Sequence, residues 1–117
     1  MNDNVTVITA TVGNPLLSTC VESVANQTHK NIQHLLIVDG VHVRDAVDNE
    51  IIYSDCKYVD RINLPYSIGK DRWNGHRIYA AGSYIAEGDY IMFLDDDNYL
   101  EPEHVESCLK AIEGKDW

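Results

Sequence analysis

The chain has 117 residues, 44% apolar and 24% charged, which is enough for one domain of ordinary size, too little for two, and unlike a disordered or collagen-like chain. Nineteen acids against nine bases give a net charge of −10, which argues against a nucleic-acid or anionic-membrane surface, since those need clustered Lys and Arg. No apolar run reaches the roughly 18–20 residues of a membrane span, and MNDNVTV has neither the basic start nor the apolar run of a signal peptide, so the expected compartment is the cytoplasm.

Val5–Thr9 is a short β-branched run read as a strand. Gly13-Asn14-Pro15 ends it and predicts a helix with Asn14 as N-cap and Pro15 at its first position, followed by Leu16, Leu17, Val21 and Val24 at helical spacing. Leu35–Val38, closed by Asp39-Gly40, is a second strand. Weaker signals predict a short helix near Val43–Ile51 and a strand near Tyr58–Ile62. A helix from about Asp71 to Ala86 is expected to turn Ile78, Ala81 and Ile85 inward and to stop at Gly88. Tyr90–Leu94 is another continuous apolar strand, and the last helix begins near Pro102, aligns Val105, Cys108, Leu109 and Ile112, and ends at Gly114. The order βαβαβαβα implies an α/β domain with a mostly parallel sheet covered on both faces and right-handed crossovers.

Ligands of open parallel sheets bind beyond the carboxyl ends of strands, which directs attention to residues 9–14, Asp39-Gly40 and Asp95-Asp96-Asp97-Asn98. Three consecutive carboxylates after a buried strand repel one another unless a cation is shared. From Tyr79 onward there are ten acids and two lysines, so a polyphosphate would also need a cation there. Alternation along an extended chain would point Asp95 and Asp97 to the ligand side and Asp96 away, and oxygen-only ligands select Mg²⁺ or Mn²⁺ over zinc. The alternative is a solvated acidic loop capping the next helix. Cys20, Cys56 and Cys108 show no paired spacing and are expected as reduced thiols. His29, His34, His42, His76 and His104 show no metal-ligand spacing and are expected as surface or partly buried histidines, with His104 close enough to the acid loop to reach a ligand. Trp73, Tyr84 and Tyr90 are read as core or rim aromatics, and Asn26-Gln27-Thr28 as a helix end rather than a glycosylation site.

The opening VTVITATVGNPLLSTCVESVANQTHKNIQHLLIVDG and the later GDYIMFLDDDNYLEP resemble two ordered blocks of glycosyltransferase family 2: a strand, a Thr-rich turn, a helix ending S-x-x-x-Q-T, a second strand ending in Asp, and then G-E-Y-I-x-F-L-D-x-D-D. Together with the spacing between them, the two blocks cover nearly the whole chain. The resemblance implies a GT-A fold, Rossmann-like, as a single nucleotide-sugar domain over residues 1–117 that stops after the D-x-D region. It further implies a metal-dependent, inverting glycosyltransferase using a UDP-sugar donor with Mn²⁺ or Mg²⁺, the acceptor being unspecified.

Carried over residue by residue, Thr9, Ala10 and Thr11 would border the nucleoside, and Asp39 would accept a hydrogen bond from uracil N3. Many relatives have D-D-G-S where this chain has V-D-G-V, and a turn-forming role before Gly40 is the alternative for Asp39. Arg72 would sit beside the base and phosphates, or else be a surface helix arginine. Asp95 and Asp96 join the nucleotide-sugar contacts, Asp95 at the ribose or through water, and Asp97, with Asp95, would hold the metal. The family's catalytic base lies well downstream of the D-x-D, and this chain ends about twenty residues past its triplet. A fragment would lack the base, whereas a minimal enzyme would borrow it from Glu101, Glu103, His104 or a second subunit of a homo-oligomer, with slow donor hydrolysis as one outcome. A nucleotide-sugar-binding module without transfer is the alternative function. A receiver-like phosphoacceptor domain fits poorly, because its paired acids would follow the first strand, which here ends Thr-Ala-Thr.

Overall fold

The computed structural model describes residues 3–51, 59–69 and 76–115. Arg72, Trp73, Cys56 and the expected helix start at Asp71 lie outside them. The elements run β1 (Val5–Thr11), α1 (Leu17–Ala25), β2 (Ile32–Val38), a 3₁₀ turn (Val41–Val43), α2 (Arg44–Ile51), β3 (Val59–Asn63), α3 (His76–Ile85), β4 (Tyr90–Phe93) and α4 (His104–Ala111). The strands form one parallel sheet in the order β3-β2-β1-β4. The chain therefore lays strands outward from β1 to β3 and returns to place β4 on the other side of β1, which makes the carboxyl ends of β1 and β4 the topological switch point.

The alternation of β1 divides the core. Val5 and Val7 pack with Cys20 and Val24 of α1 and with Val105 and Leu109 of α4, while Leu36 and Val38 of β2 join Leu17, Val21 and Val47 on that same helical layer. The opposite face holds Ile8, Leu35, Ile37 and Ile78 of α3. Burying each such aliphatic side chain contributes about 1.5–3 kcal/mol, so residues with the strand period of two and the helix period of 3.6 dictate this layering between them.

Four expectations need correction. The first helix starts at Leu17 rather than Pro15, because residues 15–16 form a turn in which the Leu16 N–H donates to Asn14 Oδ1 (2.9 Å) and the Leu17 N–H to the Asn14 carbonyl (2.9 Å). Leu16 is consequently exposed, and Cys20 takes the buried position beside Leu17 and Val21. In α3 the inward pair is Ile78 and Gly82, not Ala81 and Ile85, which are exposed. A Cβ at Gly82 would lie 2.9 Å from Ile8 Cγ2 and 3.2 Å from Ile37 Cδ1, so the glycine lets α3 lie unusually close to β1 and β2. Finally, β4 is not covered on both faces: Tyr90, Ile91 and Phe93 are exposed, since α3 packs over β1 and β2 and leaves the edge strand open among the described residues. No helix of the described residues is long and apolar enough to cross a membrane.

Candidate functional site

A cleft of about 360 Å³ opens at the switch point, walled by Thr11 and Val12 at the end of β1, Asp39 after β2, Gly69 after β3, Tyr79 from α3, and Asp95, Asp96 and Asp97 after β4. The β ladder continues one residue past β4, with the Leu94 N–H donating to the Ile8 carbonyl (3.0 Å). The chain then turns, and the Asn98 N–H closes on the Asp95 carbonyl at 3.1 Å. Because Asp96 and Asp97 occupy that turn, the side-to-side alternation expected of an extended chain does not apply. Asp96 points not away but back to β1, where its Oδ2 accepts from the Thr11 hydroxyl (2.8 Å) and from the Val12 N–H (3.4 Å). The Thr11 oxygen in turn accepts the Gly13 N–H (3.0 Å). Asp95 Oδ1 accepts the Tyr79 hydroxyl (2.8 Å). The Asp97 carboxylate is exposed and has no hydrogen-bond partner among the described residues.

Asp39 behaves differently. It is 4% exposed, and its two oxygens accept from the Ser67 hydroxyl (3.0 Å), the Ile68 N–H (2.8 Å) and the Gly69 N–H (3.1 Å). Gly40, at φ 116°, takes a backbone conformation closed to most other residues and turns the chain away so that the carboxylate stays at the strand end. A carboxylate offers about four lone-pair sites, so three donors leave about one.

Burial, the Asp95 hydrogen bond and the Asp95 charge all hold the Tyr79 phenol above its ordinary pKa, the Ala10 backbone acting against them. The hydroxyl is thus a fixed proton donor. On the other face of the sheet, burial pushes the Cys20 thiol up to about 12, the Thr9 hydroxyl opposes this, and the three carboxylates add to it.

Several expected site residues lie elsewhere. Ala10 and Thr11 line the cleft, but Thr9 does not: it is fully buried on the α1 face, its Oγ1 2.9 Å from His34 Nε2 and 4.0 Å from Cys20 Sγ. His34 is buried rather than at the surface or partly buried, and desolvation lowers its pKa to about 4. Glu101 and His104 are not cleft residues. The Glu101 carbonyl receives the Gln27 side-chain amide, and the His104 ring faces Cys108 one turn along α4 (Nε2 to Sγ 3.6 Å). Tyr84 and Tyr90 are exposed away from the cleft, as is Glu103.

Two contributors escape a reading by residue type. Tyr79 lies within α3, where neither the acid pattern nor the family blocks single it out. Gln27, fully buried, donates to the Ser23 carbonyl (3.0 Å) and the Glu101 carbonyl (2.7 Å) and accepts the Val105 N–H (3.0 Å). The Ser23 hydroxyl accepts the Leu100 N–H (3.0 Å). The S-x-x-x-Q pair thus pins the exit of the acid loop and the start of α4 to the end of α1, and its four-residue spacing was the available signal.

As for a divalent cation, the donor chemistry fits: the cleft presents carboxylate oxygens without Cys or His. Among the described residues no three His, Cys, Asp or Glu side chains converge as a ready cage.

Residues 6–116 match the family described as Glycosyl transferase family 2. The chain belongs to that family. Among curated relatives it is 34% identical over 95 residues to the chondroitin synthase of Pasteurella multocida, covering 80% of this chain and 9% of that protein. It is 26% identical over 116 residues to the glycosyltransferase GlyA of Streptococcus pneumoniae serotype 4, covering 96% and 15%. Among solved structures, S. aureus TarS 1-349 in complex with UDP-GlcNAc superposes with a TM-score of 0.74 at 18% identity, covering 94% of this chain and 31% of that one. This likeness shows the fold, the GT-A arrangement. The family 2 chain thus spans under a third of each of these proteins.

Proposed function

We propose that this family 2 domain binds the UDP portion of a UDP-sugar together with Mn²⁺ or Mg²⁺, and that the protein is an inverting glycosyltransferase. The observation that carries this is the exposed Asp97 carboxylate, without a hydrogen-bond partner among the described residues, beside two tethered ones at the switch-point cleft. Asp97, with Asp95, would hold the cation, which when bound offsets the charge of the diphosphate. Ala10 and Thr11 would border the nucleoside, Asp39 would offer its remaining lone pair to the uracil imide, and Asp96 would stay bonded to Thr11 while keeping its second oxygen for the sugar-nucleotide. Arg72 is assigned to the leaving diphosphate on the strength of the family resemblance. The superposable TarS structure is a complex with UDP-GlcNAc, which supports a UDP-sugar donor.

Inverting transfer needs a base for the acceptor hydroxyl. Neither Glu101 nor His104 is among the residues that line the cleft, the His104 ring lying against Cys108. That observation favours a second reading, in which residues 1–117 alone bind donor and hydrolyse it slowly or not at all. Calorimetry of UDP with Mn²⁺ and with EDTA tests the binding, with tight binding expected in Mn²⁺ alone. UDP release from UDP-sugars above a metal-only blank separates transferase from binding module.

A further inference from the structure

Tyr79 has no role in the charge pattern or in the family blocks, yet its surroundings give it one. It follows the buried Ile78 and precedes Gly82 by three residues, so it lies near the face by which α3 closes on β1 and β2. The close approach that Gly82 permits brings the tyrosine, one turn nearer the helix start, to the carboxyl end of the sheet. There its hydroxyl donates to Asp95 Oδ1 at 2.8 Å, and its ring packs on Phe93 with centroids 5.1 Å apart and planes at 58°. Phe93 is the last residue of β4, two before Asp95. Tyr79 therefore grips the acid loop at its root and at its first carboxylate, while Thr11 and Val12 hold the second carboxylate from the other wall.

We propose that Tyr79 is a positioning residue for the nucleotide–cation site: it fixes the Asp95 carboxylate, and with it the turn that carries Asp97, at the cleft where a diphosphate and its cation bind. The proposal rests on the UDP–cation reading of the cleft. A phenol suits the task because it is a neutral donor. A lysine or arginine in its place would pair with Asp95 and cancel negative charge that a cation requires.

The full chain with Tyr79→Phe keeps the ring on Phe93 and loses only the hydroxyl, whereas Tyr79→Leu loses both. UDP affinity is measured by calorimetry in Mn²⁺ and in EDTA, alongside the melting temperature. Tyr79→Phe is expected to melt with the parent, to bind UDP about tenfold more weakly in Mn²⁺, and to be unchanged in EDTA. In the cycle with Asp95→Asn, the double variant is expected to bind no more weakly than Asp95→Asn alone, since the hydroxyl then has no carboxylate to place. Parental affinity of Tyr79→Phe in Mn²⁺, or additive losses in the cycle, would overturn the proposal and leave Tyr79 a packing residue. If the parent itself binds UDP equally in Mn²⁺ and EDTA, the cation reading fails first, without reference to any variant, and the proposal goes with it.

Discussion

Carboxylates close two strands of this sheet, and the fold uses them in opposite ways. Asp39, after β2, is buried beneath residues 67–69 and accepts three hydrogen bonds from them. Asp97, after β4, is exposed and accepts none among the described residues. The difference comes from what passes over each strand end. The ladder runs one residue past β3, with the Leu64 N–H on the Val38 carbonyl (2.9 Å), and residues 67–69 then close over the end of β2, whereas β4 lies at the edge of the described sheet with no strand described beyond it. How many lone pairs an aspartate at a strand end keeps for a ligand is therefore set by the segment that covers it, not by its place in the sequence.

The largest effect is expected at the open end. Asp97→Ala should lower UDP-sugar turnover about 10²–10³-fold, the usual loss on removing one preorganised charge stabiliser, and should leave the melting temperature unchanged. A large drop in melting temperature would show that Asp97 is scaffold too and would break the contrast. Next comes the core behind the sheet. His34 is neutral when folded, with its pKa lowered from 6.5 to about 4 by burial. Between those values the unfolded chain binds a proton that the folded chain does not, so this contribution is fully present above pH 6.5 and is lost as pH falls toward 4, by roughly 3 kcal/mol in all. Urea melts across that window should show the decline, and His34→Gln should flatten it. Acid loss of UDP binding that outruns this unfolding would locate a second titrating group in the cleft. The smallest change is expected at the closed end. Asp39→Asn leaves at least one loop N–H without an acceptor, costing about 1–3 kcal/mol in nucleotide-free protein, and should also reduce the preference for uridine over cytidine nucleotides. A lower melting temperature with the preference intact would make Asp39 scaffold alone.

The order of elements, the parallel sheet and the place of the acid triplet follow from local features: apolar runs with the strand period, helical spacing in Val105, Leu109 and Ile112, and acids directly after YIMFL. The two family blocks are likewise contiguous stretches, and so the family was legible in them. The edge position of β4 and the exposed Ile85 were not, because exposure depends on where a neighbouring helix lands. Gln27 and Thr9 look like a helix end and a strand end in the sequence, and both prove to be buried polar groups with partners up to 25 residues away for Thr9 and up to 78 for Gln27. The same holds for the cleft. Thr11 meets Asp96 across 85 residues and Asp39 meets Gly69 across 30, contacts that exist only once β4 lies beside β1 and β3 beside β2. Residue type and period determine which groups can bind a charged ligand. Which of them remain free to do so was decided by tertiary structure, because a hydrogen bond made inside the protein removes a lone pair from the ligand, and its partner is chosen by the packing of distant elements.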